Sequence, residues 1–217
     1  MTNLFDCSDT DQRATGIASA ISALKGGRLV VLPTDTVYGV GADAFDSDAV
    51  ASLLAAKGRG RDMPVPVLVG SWHTIEGLVY NVPQSARELI RAFWPGALSL
   101  VVRQAPSLQW DLGDAHGTVM LRMPLHPVAI ELLREVGPMA VSSANISGRP
   151  AAVTAAEARE QLGDLVEVYL DAGPSQQQAA STIVDLTGAH PRVLRQGPIT
   201  AAAVADVLGV EPESLTD

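Results

Sequence analysis

The sequence predicts an α/β sandwich, and three observations carry that prediction. Segments of helical spacing and segments of strand character alternate along the whole chain, the pattern that places helices on the faces of a sheet. Hydrophobic residues make up 47% of the chain but aromatics only 4%, so the core has to be built from Ala, Val, Leu and Ile, which suits helices packed on a sheet. At 217 residues the chain buries a sizeable core without help from disulfides or metals, and one domain over 1–217 is expected.

The elements follow in order. Ile17, Ile21 and Leu24 recur at helical spacing behind Ser8 or Asp9 as a cap, with Gly26 and Gly27 as a stop, so a helix is expected over 9–25. "RLVVL" (28–32) reads as a buried strand, and "SDAVASLLAAKG" (47–58) as a helix capped at Ser47. Between them, "LPTDTVYGVGAD" (32–43) turns abruptly from apolar to small polar residues and reads as the strand's exit, with Gly39 and Gly41 permitting a tight turn. "VPVLVG" (65–70) is a short strand that Pro66 assigns to an edge or a bulge. A helix over 83–93 opens at Pro83, and strands are expected over 96–103 and 117–124. Pro127 and Gly137 bound a helix within 126–137, and "PMAVSSA" (138–144) is again strand-like. Thr154 with Glu157 forms a capping box for a helix over 154–163. Short strands at 165–170, 181–186 and 192–195 and an Ala-rich helix at 200–208 complete the pattern, with "GPSQQQAAS" (173–181) as a surface loop.

The formal net charge of −9 argues against a broad electropositive face for nucleic acid, but leaves room for a local basic pocket. Of the fifteen basic residues only Lys25 and Lys57 are lysines; the rest are arginines, whose planar forks suit phosphate and carboxylate. No apolar stretch reaches the roughly 18 residues of a membrane span. The opening "MTNLFDCSDTDQR" also lacks the build of a signal peptide, so a soluble, cytoplasmic protein without membrane contact is expected. Cys7 is the only cysteine, which excludes an intrachain disulfide and Cys-based metal frameworks.

Familiar catalytic patterns are missing: no Walker-type phosphate loop, no H-E-x-x-H, no G-x-S-x-G elbow. His73, His116, His126 and His190 lack ligand spacing and receive no role. Gly39-x-Gly41-x-x-Ala44 imitates a dinucleotide fingerprint, but "PTDTVY" intervenes after the strand and the basic "KGRGR" stands where a ribose-binding acid belongs. A distributed set remains. Arg122 interrupts an apolar strand and needs an anion there, either an internal carboxylate or a ligand. Alternation puts Thr118, Met120 and Arg122 on one face. "KGRGRDMP" (57–64) offers cations past a helix end, "VSSANISGRP" (141–150) small hydroxyls and an amide, "STIVDL" (181–186) two hydroxyls, and "VLRQGP" (193–198) an arginine. Strand ends of this chemistry fit a pocket for a polyphosphate and a small zwitterion.

In this order and spacing, "LPTDTVYGVGAD", "KGRGRDMP", "TVMLRMP", "SSANISGRP", "STIVDL" and "VLRQG" resemble the YrdC-type threonylcarbamoyl-AMP synthases, over residues 12–197. The resemblance implies a twisted, largely mixed β-sheet flanked by helices around an open, positively lined cavity. It also implies a nucleotidyltransferase that forms threonylcarbamoyl-AMP and pyrophosphate from ATP, bicarbonate and L-threonine, with Mg2+ accompanying ATP. The product then passes to a transferase complex that modifies tRNA. Carried over by position, Thr36 with Thr34 and Tyr38 nearby, Arg122, Ser142 and Ser181 are implied to bind threonine. Lys57, Arg59, Met63, Thr118, Ser143, Asn145 and Arg195 are implied to bind ATP. The chemistry needs no covalent nucleophile. Val65 and Leu68 depart from the family pattern, which has a leucine and a histidine there, and the chain resembles the short, single-domain form. Two alternatives stay open: an RNA-binding module of the same fold, and a paralogue with another carbamoyl or adenylate substrate.

Overall fold

The computed structural model describes residues 3–216. Ten strands form a mixed sheet in the order β1-β8-β2-β3-β7-β4-β6-β5-β9-β10. They are β1 (Asn3–Asp6), β2 (Val30–Leu32), β3 (Gly39–Asp43), β4 (Val67–Leu68), β5 (Leu98–Arg103), β6 (Thr118–Arg122), β7 (Met139–Ser143), β8 (Val168–Asp171), β9 (Thr182–Asp185) and β10 (Arg192–Arg195). The helices are α1 (Thr10–Lys25), α2 (Ser47–Ala56), α3 (Ile75–Leu78), α4 (Gln84–Phe93), α5 (Pro127–Val136), α6 (Ala155–Leu162) and α7 (Ala201–Leu208). None of the described helices is long and apolar enough to cross a membrane.

Period-two alternation divides the sheet into two packing faces. Val30, Leu32, Leu68, Met139, Val141, Val168 and Leu170 face α1 and α5, packing on Ile17, Ala20, Leu24, Ala129 and Leu132. Their neighbours Val31, Val67, Ala140 and Tyr169 face the opposite way, into a larger core with Leu53 of α2, Leu89 of α4, Ala158 of α6 and Val204 of α7. Leu98, Leu100, Val119, Leu121 and Val184 join that second core. The alternate residues of the same strands, Ser99, Met120, Arg122 and Ile183, line a cavity instead of a helix. An uncovered part of one sheet face is therefore the floor of the candidate site.

Most predicted elements are present, and α3 is an addition where no element was expected; four further differences bear on the site and its sheet. Gly39–Asp43 is a strand, not a turn, pairing antiparallel with both β2 and β7. Its glycines answer crowding: a Cβ on Gly39 would stand 2.6 Å from Val141 Cγ1, and one on Gly41 2.8 Å from Val141 Cγ2. β4 is central rather than at an edge, lying between β7 and β6. Pro66 is tolerated because it precedes the two-residue strand and offers only its carbonyl, which accepts from Val141 N at 2.8 Å. The cap of α2 is Asp46, whose carboxylate accepts from Asp48 N and Ala49 N, so Ser47 is already helical. Finally, the edge strand β1 pairs parallel with β8 where no strand was expected. Elsewhere the cap choices hold: Asp9 accepts from Gln12 N at 2.8 Å, and Thr154 Oγ1 from Glu157 N at 3.2 Å.

Candidate functional site

The cavity of about 250 Å³ opens over the ends of β6, β7, β9 and β10 and the Thr34–Tyr38 segment that leaves β2. Thr36, Arg59, Arg122, Ser142, Ser143, Ser181 and Arg195 all line it, as do Thr34 and Tyr38. Residues far apart in the chain thus converge on the uncovered face of the sheet, Arg122 standing level with Met139, at the other end of β7 from Ser143. A larger groove of about 670 Å³ lies beside Gly27 and Arg28, but its Arg28 is paired with Glu167 at 3.4 Å, and the converging arginines belong to the smaller cavity.

The three arginines are not equivalent. Arg122 is buried with each of its three nitrogens engaged: Nε donates to Gly96 O at 2.9 Å, Nη1 to Thr36 Oγ1 at 2.7 Å, and Nη2 to Asp35 Oδ1. Asp35 also accepts from Leu125 N at 2.9 Å. Burial pulls the Arg122 pKa down while the Asp35 charge opposes it, and the nearby Arg195 adds a smaller downward push. The anion required by a buried arginine is therefore internal, and its outer side still borders the cavity. Arg195 donates from Nε and Nη2 to Ser181 O at 3.0 and 2.8 Å. Arg59 reaches Ser142 Oγ at 3.3 Å from Nη1, and its buried Nε has no hydrogen-bond partner. Burial lowers the pKa of both, yet guanidinium stays charged at neutral pH. Among the described residues neither forms an ion pair with a carboxylate. The cavity wall therefore carries two cations without an ion pair, Asp62 attracting Arg59 only from longer range, and one has an unsatisfied buried N–H that an anion would relieve.

Hydroxyls fill the space between these cations. Ser181 Oγ lies 2.8 Å from Ser99 Oγ, and Thr34 Oγ1 lies 3.0 Å from Thr36 Oγ1. Thr34 also donates to Val37 O at 2.6 Å, which leaves Thr36 held between Thr34 and Arg122. Tyr38 is anchored away from the cavity centre, its hydroxyl donating to Gly173 O at 2.6 Å, and burial raises its pKa.

Of the residues expected at the site, Lys57, Asn145 and Met63 lie outside the cavity and Thr118 stands beside it. Lys57 caps the C-terminus of α2 and is only 2% exposed. Its Nζ donates to Ser143 O at 2.5 Å, Asn145 O at 2.7 Å and Asn145 Oδ1 at 3.4 Å. Those three acceptors occupy all its donors, so from this position it shapes the S-x-N loop instead of facing the cavity. Burial, with Arg59 adding to it, pushes its pKa down to about 8. Asn145 braces the same loop, Nδ2 donating to Ile146 O at 3.0 Å and Arg149 O at 2.8 Å. Met63 is exposed and lines no part of the cavity. Thr118 donates to Ala115 O at 2.7 Å and borders an adjoining hollow of about 160 Å³ that shares Pro64 and Met120 with the main cavity.

Sequence reasoning missed Asp35 and Ser99. Both had a signal: Asp35 is the carboxylate that Arg122 demanded, and Ser99 is a lone hydroxyl inside the apolar strand "ALSLVV". Leu68, at one of the two positions that depart from the family pattern, lines the cavity with an apolar side chain.

The family model described as Sua5/YciO/YrdC, "Telomere recombination", matches residues 22–197. A Mycobacterium tuberculosis protein is 78% identical over 215 residues, 99% of each chain, and is named, provisionally, as a threonylcarbamoyl-AMP synthase. The Bacillus subtilis threonylcarbamoyl-AMP synthase is 37% identical over 205 residues, 92% of this chain and 59% of that one. Pyrococcus abyssi Sua5 complexed with L-threonine matches with a TM-score of 0.89 at 32% identity, over 98% of this chain and 63% of the other. This chain thus spans less than two thirds of those longer relatives. The matched span takes in β2 through β10 and every strand end that contributes to the cavity, so fold, site and likeness coincide, and the chain belongs to the Sua5/YciO/YrdC family.

Proposed function

We propose that the chain is an L-threonylcarbamoyladenylate synthase, a transferase that supplies threonylcarbamoyl-AMP for tRNA modification. The observation that carries the reading is the pairing, in one cavity, of Arg59 and Arg195, neither held in an ion pair, with the Thr36–Arg122–Asp35 network. The first two suit a polyphosphate, and the second presents a fixed hydroxyl and guanidinium to a small amino acid. Threonine's amine and bicarbonate combine to an N-carboxylate with release of water. An oxygen of that carboxylate forms a bond to the α-phosphorus of ATP, and the α–β phosphoanhydride bond breaks with pyrophosphate as leaving group. Such a step depends on alignment and on neutralising charge, not on a covalent nucleophile.

In this reading Thr36, Arg122 and Ser181 align threonine, and Arg59, Arg195, Ser142 and Ser143 receive the phosphates. The apolar hollow beyond Met120, bordered by Val65, Leu112 and Thr118, takes the base. Asp35 is already committed to Arg122 and Leu125 N. In this reading magnesium enters as part of the MgATP substrate, carried by phosphate oxygens and water. The test is pyrophosphate release from ATP and Mg2+ with and without bicarbonate and L-threonine. Release requiring both is expected; release indifferent to threonine, or none, refutes the reading.

A further inference from the structure

Segment 57–65, which brings Arg59 to the cavity, is fastened at both ends. Lys57 is sunk in the 143–145 loop, and Ser147 N donates back to its carbonyl at 2.9 Å. At the far end Arg61 grips the 111–114 turn. Its Nη1 and Nη2 donate to Asp111 Oδ2 and Oδ1 at 2.9 and 2.8 Å, and Nε lies 3.4 Å from Asp114. Two backbone bonds run alongside, Asp114 N to Arg61 O at 2.8 Å and Val65 N to Leu112 O at 2.9 Å. Gly113, at φ +101°, permits this approach, since a Cβ there would stand 2.8 Å from Arg61 O. The two fastened segments are the walls of the apolar hollow: Pro64 and Val65 from one, Leu112 and Ala115 from the other.

We propose that Arg61 is a positioning residue, which with Asp111 and Asp114 clasps 57–65 to 111–115 and so sets both the width of the hollow and the reach of the Arg59 guanidinium. The proposal rests on the ATP reading above. Arg61 lines neither hollow nor cavity, and its side chain is 55% exposed, so its ion pairs contribute little to global stability. What they restrict is the stretch beyond Arg59: the N–H groups of Gly58 and Arg59 are bonded to Ala55 O and Leu54 O at 2.9 and 3.0 Å, and Gly60 is the permissive link that follows. A clasp on that stretch acts on nucleotide affinity and leaves the threonine side, at Thr36, Arg122 and Ser181, alone.

The test is a double-mutant cycle read by calorimetric titration of MgATP into the intact protein: wild type, Arg61→Gln, Asp111→Asn and the pair. Each single change is expected to weaken ATP binding about tenfold, inside the roughly hundredfold that a small misplacement can cost. The pair should be no worse than either alone, with the threonine KM and the melting temperature unchanged. Arg61→Lys should recover only part, having charge without the planar fork. Unaltered affinity in Arg61→Gln overturns the clasp. So do additive losses, or a loss in Arg61→Gln that Asp111→Asn does not reproduce, since those indicate direct contact between Arg61 and ATP. No ATP binding by the wild type would instead overturn the functional reading, and the clasp with it.

Discussion

Gly39→Ala offers a sharp test of how β3 is packed. The added Cβ would lie 2.6 Å from Val141 Cγ1, well inside the ordinary carbon separation of about 3.5–4.0 Å. β3 and β7 are held in register at Gly39–Ser143 through Asp43–Met139, so neither backbone can withdraw without disturbing five pairs. Overpacking of this kind costs about 1–3 kcal/mol. Val141→Ala deletes two buried carbons, about 1.6 kcal/mol by transfer with a further cost for the cavity left. If the clash is the cause, the methyl group added by Gly39→Ala refills that cavity in the double variant, which should then be about 1–3 kcal/mol more stable than the sum of the singles predicts. Guanidinium denaturation with a fixed m-value reads all four proteins. Gly77→Ala is the control: nothing lies within 4 Å of its Cβ, and it should be neutral or stabilising by less than about 1 kcal/mol. Additive losses within about 0.5 kcal/mol would refute the reasoning, and show that Gly39 is needed for something other than space.

Other outcomes follow from the same contacts. Arg122→Gln strands the buried Asp35 carboxylate and should cost about 3–5 kcal/mol, part of which Asp35→Asn in the same chain restores; denaturant midpoints check this. Arg59→Ala loses one long hydrogen bond and no ion pair, so stability should move by less than about 1 kcal/mol. Pyrophosphate release by that variant should nevertheless fall about a hundredfold, as when a preorganised charge donor is lost. Burial pushes the Cys7 thiol up to about 11, whereas a thiol in an unfolded chain titrates near its ordinary value of about 8.5. The unfolded chain then ionises first, so stability falls as pH rises between those two values, and Cys7→Ala should flatten that limb of a denaturation series. Thiol reagents at a pH of about 8 should label the native protein slowly and the denatured protein at once.

The alternation of helices and strands was legible because burial on two sheet faces leaves its period in the sequence. What escaped was decided by distant neighbours. Gly39 and Gly41 have turn chemistry taken alone, and only the Val141 side chain of another strand turns them into packing glycines. Pro66 argued for an edge, but a two-residue strand needs no donor from the residue before it. At the site, the strand-end hydroxyls and arginines were legible as a set, since an arginine in an apolar strand demands an anion. The direction of each side chain was not. Lys57 and Asn145 have the chemistry to hold phosphate, and the same chemistry satisfies a loop's own carbonyls.

The arrangement of the three arginines also bears on how the protein comes into being. Arg59 follows α2, Arg122 ends β6 and Arg195 ends β10, so each belongs to a different stretch of synthesis. β9 and β10 reach the sheet only through the parallel partnership of β5 with β9. A nascent or truncated chain can hold Asp35 and Arg122 together while still lacking the hydroxyl and guanidinium of Ser181 and Arg195. The full wall of Arg59, Ser181 and Arg195 therefore exists only once β9 and β10 have joined the sheet.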